Sequence, residues 1–244
     1  MKRPIDDARL TELNSGRRPT ATLMEVISID QQALLAAVVP NLKEHATRLA
    51  SPRLLRRMET GGHLLWNEFG DDLWPTSDGW KSDIARGWAA MAVGLVPGLS
   101  LGQRSSKVQK FAGDAHWAVR EWAWLGVRNH IVDEPRAALR DLIPWTRSRS
   151  PYVRRFASEA TRPIGVWSRH IPALRRDPSP ALPLLSALVS DSERYVRLSV
   201  GNWLNDASKS VPAWVLEFCA TCIVSPETGH VRERALRTIR RTSQ

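Results

Sequence analysis

The sequence predicts an all-α protein built from stacked antiparallel helix pairs, and three observations support that fold class. From Leu23 onward, apolar residues recur at helical spacing almost throughout the chain. Convincing runs of alternating apolar residues bounded by hairpin turns, which are typical of strands, do not occur. A Val-Arg dipeptide also recurs at intervals of similar length, which is typical of repeat proteins.

The Val-Arg pairs define the repeat. They are separated by steps of 34, 43 and 35 residues, and each opens an amphipathic stretch. Asp114 and Asp191 precede two of the valines by five residues. We interpret each repeat as one helix pair whose apolar faces are buried by its neighbours, which predicts a HEAT-like repeat α-solenoid. Such a stack curves, and we expect a concave face lined by the second helix of each pair. The pairs are Val119-Arg120, Val153-Arg154, Val196-Arg197 and Val231-Arg232.

The segments before the first Val-Arg pair are assigned in chain order. Residues 1–22 are polar and predict a flexible lead-in with room for one short helix, so residues 23–244 form a single HEAT-like repeat domain. Pro40 separates two helices. Gly61-Gly62 predicts a helix stop, and Ser82 or Asp83 is the expected cap of the strongly apolar helix that follows.

The charge distribution favours a polyanionic partner. The net charge of the 244 residues is +10, and residues 101–180 contain fifteen Lys or Arg against seven Asp or Glu. Phosphate neutralisation by Lys and Arg supplies most non-specific nucleic-acid affinity, so we expect the concave face to be a basic DNA-binding groove. A generally basic, Arg-rich proteome is the alternative. Most of the eleven tryptophans should lie in the core, with some on the groove.

Several classes of protein are not expected. The longest apolar runs are too short to span a membrane, and the N-terminus lacks the apolar stretch of a secretory signal. Cys219 and Cys222 form a lone CxxC, which we interpret as buried helix cysteines rather than a metal site. Phosphate-binding and nucleophile-elbow motifs are missing. We therefore expect no metal, no cofactor and no membrane partner, and a monomer that lies in the cytoplasm with the nucleoid.

The segment Ser150–Pro163, followed by Trp167, is the most informative candidate site. Arg155 and Glu159 are four residues apart and share a helix face, and Arg162 follows within another turn. A carboxylate flanked by arginines would be held ionised and could face a phosphate-lined groove. The alternative, which the spacing alone favours, is a helix-surface ion pair that contributes little.

Two further acids are candidates. Glu121 lies between Trp117 and Trp124 on one helix face, an arrangement suited to a wall that meets a cationic, planar ligand. Asp206 shares a face with Asn202, although that asparagine could equally bond the turn of a neighbouring repeat. For the arginines of the Val-Arg pairs, the structural alternative is a bridge between adjacent repeats.

Two sequence blocks are familiar. VRRFASEATRP followed by Trp167, and then DSERYVRLSVGNWLNDASKSVP, resemble the DNA alkylation repair glycosylases of the AlkC/AlkD superfamily, closest to the AlkC branch. The resemblance is strong over about residues 110–215. The chain departs from the branch pattern at Ala160, which stands where glycine is usual, and at residues 164–166, which replace an Arg-x-Pro.

The resemblance implies a HEAT-like solenoid that cradles duplex DNA and hydrolyses the N-glycosidic bond of alkylated bases without a metal or organic cofactor. It implies that Glu159 is the active-site carboxylate, that Arg155 orients it or contacts phosphate, and that Trp167 contacts the lesion-bearing nucleotide. Glu121 and Asp206 would be the second and third acids. Further residues expected to contact DNA or the lesion are Arg162, Trp124, Trp117, Arg120, Arg154 and Arg197.

The implied chemistry is consistent with these residues. An N3- or N7-alkylated purine is already cationic, so the reaction needs negative charge near the oxocarbenium sugar and a positioned water. The motif blocks contain no candidate Schiff-base lysine, which predicts a monofunctional enzyme. The first alternative is a non-catalytic HEAT-like protein that binds damaged or branched DNA. The second is a protein-binding HEAT scaffold, against which the basic middle third argues.

Overall fold

The described part of the chain is predominantly helical. The computed structural model describes residues 5–165, 167–223 and 228–242, and these contain no strand. The all-α, HEAT-like fold class is therefore confirmed. The α-helices are α1 (Asp7–Asn14), α2 (Leu23–Ser28), α3 (Gln31–Val38), α4 (Leu54–Phe69), α5 (Leu73–Thr76), α6 (Asp83–Leu95), α7 (Leu101–Ala112), α8 (Trp117–Asp133), α9 (Pro135–Leu142), α10 (Pro151–Ala160), α11 (Pro172–Arg176), α12 (Leu182–Leu188), α13 (Arg194–Ser208), α14 (Pro212–Cys222), α15 (Gly229–Ala235) and α16 (Arg237–Thr242). Helices of the 3₁₀ type cover Pro40–Leu49, Gly70–Asp72, Ser77–Gly79, Ile143–Arg147 and Ser179–Ala181.

The helices group into two compact units. Unit 1 contains residues 1–98 and 114–126, and unit 2 contains residues 99–113 and 127–244. Helix α8 contributes its first part to unit 1 and its remaining residues to unit 2. The division into a lead-in of residues 1–22 and a single repeat domain of residues 23–244 stays a prediction.

The first residues of unit 1 are tied to the helices that follow. Leu13 on α1 is fully buried. The guanidinium of Arg9 donates to both carboxylate oxygens of Glu25 on α2, at 2.9 and 3.0 Å. The backbone N–H and the hydroxyl of Thr20 donate to the buried carboxylate of Asp83, at 2.7 and 2.8 Å. Asp83 therefore anchors the segment before α2, while Ser82 caps α6 by accepting the N–H of Ala85.

The predicted helix stop at Gly61-Gly62 is wrong, because α4 continues through both glycines to Phe69. The physical reason is the close crossing of α6. A Cβ on Gly61 would overlap the indole of Trp88, which is fully buried, and a Cβ on Gly62 would lie 3.0 Å from the backbone of α6. These glycines remove side chains where two helices touch, and they do not end the helix.

A second close crossing joins α6 to α8 within unit 1. A Cβ on Gly94 would overlap the carbonyl group of Gly126, and a Cβ on Gly126 would lie 2.7 Å from the carbonyl oxygen of Ala90. Backbone therefore packs on backbone at this point, which only glycine allows.

Unit 2 is organised by the packing of α10 against α13 and of α13 against α15. Trp203 on α13 is fully buried and donates its indole N–H to the carbonyl oxygen of Thr161, at 3.0 Å. Because Thr161 follows α10 directly, this bond satisfies a carbonyl that the helix leaves without an intrahelical partner. The contact fixes the end of α10 against the middle of α13.

Three of the four Val-Arg arginines, Arg120, Arg154 and Arg197, have a common structural role. In each, one guanidinium nitrogen donates to the two backbone carbonyls that lie five and six residues earlier, at 2.5–3.2 Å. The bond pattern is shared by an arginine that the sequence analysis did not include in the repeat. The four arginines are Arg86, Arg120, Arg154 and Arg197.

Two of these arginines also reach the next repeat. Arg86 donates to both carboxylate oxygens of Asp114 at 2.9 and 3.2 Å, and Arg154 donates to both oxygens of Asp191 at 2.6 and 2.8 Å. The bridging role expected for the repeat aspartates and arginines is thus confirmed for these pairs. The geometry supports the structural alternative for Arg120, Arg154 and Arg197, and their contact with DNA stays a prediction.

Candidate active site

Glu159 lies at the end of α10, on the face that packs against α13. Its side chain is 4% exposed. One carboxylate oxygen accepts a hydrogen bond from Arg162 at 2.7 Å, and the other accepts one from the hydroxyl of Ser199 at 2.7 Å. Arg155 lies one turn earlier on α10, with a guanidinium nitrogen 3.3 Å from the second oxygen. The predicted pairing of Arg155 with Glu159 is confirmed, but the pair is buried rather than on the helix surface.

Asp206 on α13 belongs to the same cluster. Arg162 donates through Nε and places Nη2 at 2.8 Å from the same Asp206 oxygen, so its guanidinium bridges the two carboxylates. The other oxygen of Asp206 accepts from the ammonium of Lys209 at 3.2 Å. The side chain of Asp206 is 5% exposed, whereas Lys209 is 42% exposed. Two acids that the sequence placed on different repeats are therefore held within one buried network.

The electrostatics of this network keep Glu159 ionised. Burial alone would raise the pKa of Glu159, but the positive charges of Arg155 and Arg162 outweigh it and lower the pKa below its ordinary value. For Arg162, burial would lower the pKa, yet the charges of Glu159 and Asp206 raise it. Both directions favour the charged forms of Glu159 and Arg162, which pair with each other. Two carboxylates face three cations, which leaves a surplus of one positive charge.

The orientation of Arg155 is fixed by an aromatic side chain of α13. Its guanidinium carbon lies 4.5 Å from the ring centroid of Tyr195, within the range of a cation–π interaction. Tyr195 in turn meets Tyr152 edge-on, with ring centroids 6.1 Å apart. Arg155 is 14% exposed and is held between a carboxylate and a ring. These two contacts restrict the orientation of its guanidinium, and its contact with phosphate stays a prediction.

Trp167 lies in the segment between α10 and α11. It is one of the few large apolar side chains that are exposed in the described residues, at 52%. An exposed indole of this size is free to contact a ligand. Its contact with a lesion-bearing nucleotide stays a prediction.

Glu121 lies in the part of α8 that belongs to unit 1, and its carboxylate accepts the indole N–H of Trp124 at 2.8 Å. Trp124 is buried at 8% exposure, while Glu121 is half-buried. The ring of Trp117 lies 5.8 Å from that of His116. The predicted stripe thus forms a carboxylate held by one indole, with the other indole against a histidine. That Glu121 shares a pocket with Glu159 stays a prediction.

Two residues of unit 2 were missed by sequence reasoning. Ser199 is buried and donates to Glu159, while its own oxygen lies 2.8 Å from the hydroxyl of Ser158. Arg128 is 1% exposed and donates to three backbone carbonyls. A signal for Arg128 was present, because a charged residue inside the apolar run WAWLGVRNHIV requires a buried partner. Serine gave no such signal, since it is common on either face of a helix.

The described residues contain no group of three or more His, Cys, Asp or Glu side chains that could hold a metal ion. Cys219 is buried on α14, as predicted, and burial raises the pKa of its thiol. For Cys222 the prediction of burial is wrong, because its position near the end of α14 leaves it half-buried. In the part of the chain that the structure describes, none of the helices combines the length and the apolar character needed to cross a membrane.

Comparison with known proteins decides the family. The model of the family described as DNA alkylation repair enzyme matches residues 108–243, more than half of the chain. The chain belongs to the DNA alkylation repair enzyme family. The chain is also 38% identical over 114 residues to the uncharacterized protein YhaZ of Bacillus subtilis (strain 168). That match covers 46% of this chain and 32% of YhaZ.

Solved structures show the same fold. The alkylpurine DNA glycosylase AlkC of Pseudomonas fluorescens, bound to DNA containing an abasic site analog, matches with a TM-score of 0.71 and 23% identity. That match covers 94% of this chain and 64% of AlkC. AlkD2 from Streptococcus mutans matches with a TM-score of 0.63 and 22% identity, covering 81% of this chain and 95% of AlkD2. The chain thus spans about a third of YhaZ and less than two thirds of AlkC.

Proposed function

We propose that this chain is a monofunctional DNA glycosylase that removes cationic N3- or N7-alkylated purines from duplex DNA. The observation that carries the proposal is the buried network of α10 and α13, in which the carboxylates of Glu159 and Asp206 are paired with Arg155, Arg162 and Lys209. Family membership supports DNA alkylation repair, and the fold shared with AlkC, named as an alkylpurine DNA glycosylase, supports the reaction.

The network offers both charges that the reaction needs. Loss of an alkylated purine leaves a developing oxocarbenium sugar, which fixed carboxylates stabilise when water is excluded. Arg155 and Lys209 are cations at the edge of the cluster, suited to a DNA phosphate. A phosphate bound to them offsets the surplus positive charge of the cluster, so the net potential at the sugar becomes more negative. Glu121 is the further acid of this proposal, and Trp167 the contact to the lesion.

Duplex DNA is the proposed partner of a monomer, with a basic groove as the binding face. The surplus of basic residues between 101 and 180 supports this, since such a surplus supplies phosphate contacts. We propose a cytoplasmic protein associated with the nucleoid, where its substrate lies, and a reaction that uses no cofactor.

The deciding experiment is the release of 3-methyladenine and 7-methylguanine from methylated duplex DNA. We expect release by the wild type and a loss of at least about a hundredfold for Glu159→Gln, in the range seen when one electrostatic group of an active site is removed. Glu121→Gln, on a half-buried side chain, tests the second acid with less risk to folding. Glu217→Gln is the matched control, because Glu217 is exposed on α14.

Two outcomes would contradict the proposal. If the wild type releases neither base, the activity is wrong for these substrates. If Glu159→Gln releases base as fast as the wild type, the activity stands but the role of Glu159 is wrong.

One observation favours a non-catalytic protein that binds damaged or branched DNA. Both oxygens of Glu159 are already engaged, and the side chain is 4% exposed, so its first role can be to orient Arg155 and Arg162. This alternative predicts no base release but tighter binding to a duplex with an abasic-site analogue than to an intact duplex. Release of either base by the wild type would overturn it.

A further inference from the structure

Arg128 is a buried arginine whose three guanidinium nitrogens each donate to a backbone carbonyl. It lies on the part of α8 that belongs to unit 2 and is 1% exposed. Its three nitrogens donate to the carbonyl oxygens of Ala160 at 2.6 Å, Arg162 at 2.7 Å and Arg169 at 3.0 Å. Burial, with the nearby charge of Arg162, lowers the pKa of Arg128 to about 10, so it remains charged at neutral pH.

These three bonds join the two ends of one loop. Ala160 and Arg162 lie at the end of α10, where helix carbonyls lack intrahelical partners, and a cation there is favoured by the helix dipole. Capping the helix requires only these two bonds. The third bond reaches Arg169 at the far end of the loop that leads to α11, and the N–H of Ile171 closes the same loop on the carbonyl of Pro163 at 2.9 Å.

The loop so held presents Trp167, whose indole is exposed. Two residues earlier, Gly165 packs so closely on Ser168 that a Cβ would overlap its hydroxyl group and lie 2.9 Å from its carbonyl oxygen. Gly165 and Ser168 therefore leave no room for a side chain between them, and the guanidinium of Arg128 bonds residues on both sides of Trp167. A charged group is costly to bury, and an apolar side chain would fill the same space without that cost.

We propose that Arg128 is a positioning residue, which clasps both ends of this loop and thereby sets the direction in which Trp167 meets the damaged nucleotide. The proposal rests on the proposed function, in that Trp167 is the contact to the lesion. Arg128 itself bonds backbone carbonyls and, at 1% exposure, acts through the loop. Its effect is on discrimination between damaged and intact DNA, because misplacing a contact by about 1 Å can cost on the order of a hundredfold.

The test compares affinities for a duplex with a tetrahydrofuran abasic-site analogue and for the same duplex intact. Arg128→Lys keeps the charge but cannot donate in three directions from one plane. We expect the preference for the damaged duplex to fall by about tenfold or more, with affinity for the intact duplex unchanged. Arg240→Lys, on an exposed arginine of α16 outside the basic region of residues 101–180, is the matched control.

A double-mutant cycle with Trp167→Ala separates positioning from general stability. If Arg128 acts through Trp167, Arg128→Lys has little further effect on the preference when Trp167 is already alanine. Additive losses would overturn the proposal, and so would a wild type without any preference for the damaged duplex. Cleavage by trypsin after Arg169 gives a second readout, which we expect to accelerate in Arg128→Lys and to stay unchanged in Trp167→Ala.

Gly165→Ala covers the case in which Arg128→Lys does not fold. It distorts the same turn while leaving the guanidinium in place, and we expect the same loss of preference, non-additive with Trp167→Ala. An unchanged preference in Gly165→Ala would contradict the proposal. The readouts use no base release, so an inactive wild type that still prefers damaged DNA would refute the glycosylase function and leave the role of Arg128 standing.

Discussion

Replacing Glu159 by glutamine is the perturbation that the buried network makes most informative. The substitution keeps the shape of the side chain and removes its charge. Arg155 then loses its carboxylate and keeps the ring of Tyr195, whereas Arg162 keeps Asp206. The new amide also turns one acceptor into a donor that faces N–H groups of arginine or the hydroxyl of Ser199.

The size of the effect follows from burial. Breaking a buried ion pair by removing one partner costs about 3–5 kcal/mol, and the 4% exposure of Glu159 leaves little solvent screening. Because Arg162 retains Asp206, we expect the lower end, about 3 kcal/mol. That is a large fraction of the total stability of a domain, which is about 5–15 kcal/mol.

The pH dependence has a definite sign. The pKa of Glu159 is lowered in the folded protein, so its charge stabilises the fold above the unfolded pKa of about 4.3, and this contribution is lost as the pH falls through the lower folded value. Glutamine cannot titrate. The stability difference between wild type and Glu159→Gln should therefore be full above about pH 5 and shrink below about pH 4.

Urea unfolding followed by circular dichroism at pH 7, 5 and 3.5 measures this difference. Glu217→Gln should stay within about 0.5 kcal/mol of the wild type at pH 7, as exposed substitutions do. Equal stabilities of wild type and Glu159→Gln at pH 7 would refute the reasoning. A difference that stays constant down to pH 3.5 would show that the loss comes from shape rather than from charge.

Two other predictions test the packing and the partner. Gly94→Ala should destabilise the protein by about 1–3 kcal/mol, because the added Cβ overlaps the carbonyl group of Gly126. Gly102→Ala should be neutral or stabilise the protein by up to about 1 kcal/mol, because the nearest atom to its Cβ would be an Asp141 oxygen at 3.6 Å. Urea unfolding of both variants measures the two changes in stability. The affinity for duplex DNA should fall steeply as salt is raised, with a slope of about −0.9 per phosphate contacted, and a flat response in a fluorescence anisotropy titration would contradict a basic binding face.

The repeat architecture was predictable because it depends on local sequence patterns. Apolar spacing and the recurring Val-Arg pairs each depend on residues within one helix, and the structure places every described Val-Arg pair early in a helix. The same reasoning failed at Gly61-Gly62, where two glycines predicted the end of a helix but are needed for close packing against another helix. The indole of Trp88 occupies the space that a Cβ on Gly61 would fill, and Trp88 lies on α6, more than twenty residues further along the chain.

In the candidate site, too, local spacing predicted the pairs within a helix, and the tertiary structure decided the rest. The i, i+4 spacing of Arg155 and Glu159 was sufficient to pair them, but spacing alone favoured an exposed pair, and the structure buries it. Burial depends on α13, which supplies Ser199 and Asp206 from about forty residues further along the chain. No local pattern in α10 contains that information.

The sequence by itself therefore determined the helices, the repeat, the basic middle third and the residue types of the site. Only the tertiary structure decided that Arg162 joins Glu159 to Asp206, that three of the four Val-Arg arginines bond the preceding turns, and that Arg128 bonds both ends of the loop of Trp167. The physical reason is that periodicity records which face of a helix is apolar, whereas the partner of a buried charge is set by a neighbouring helix that local sequence does not specify.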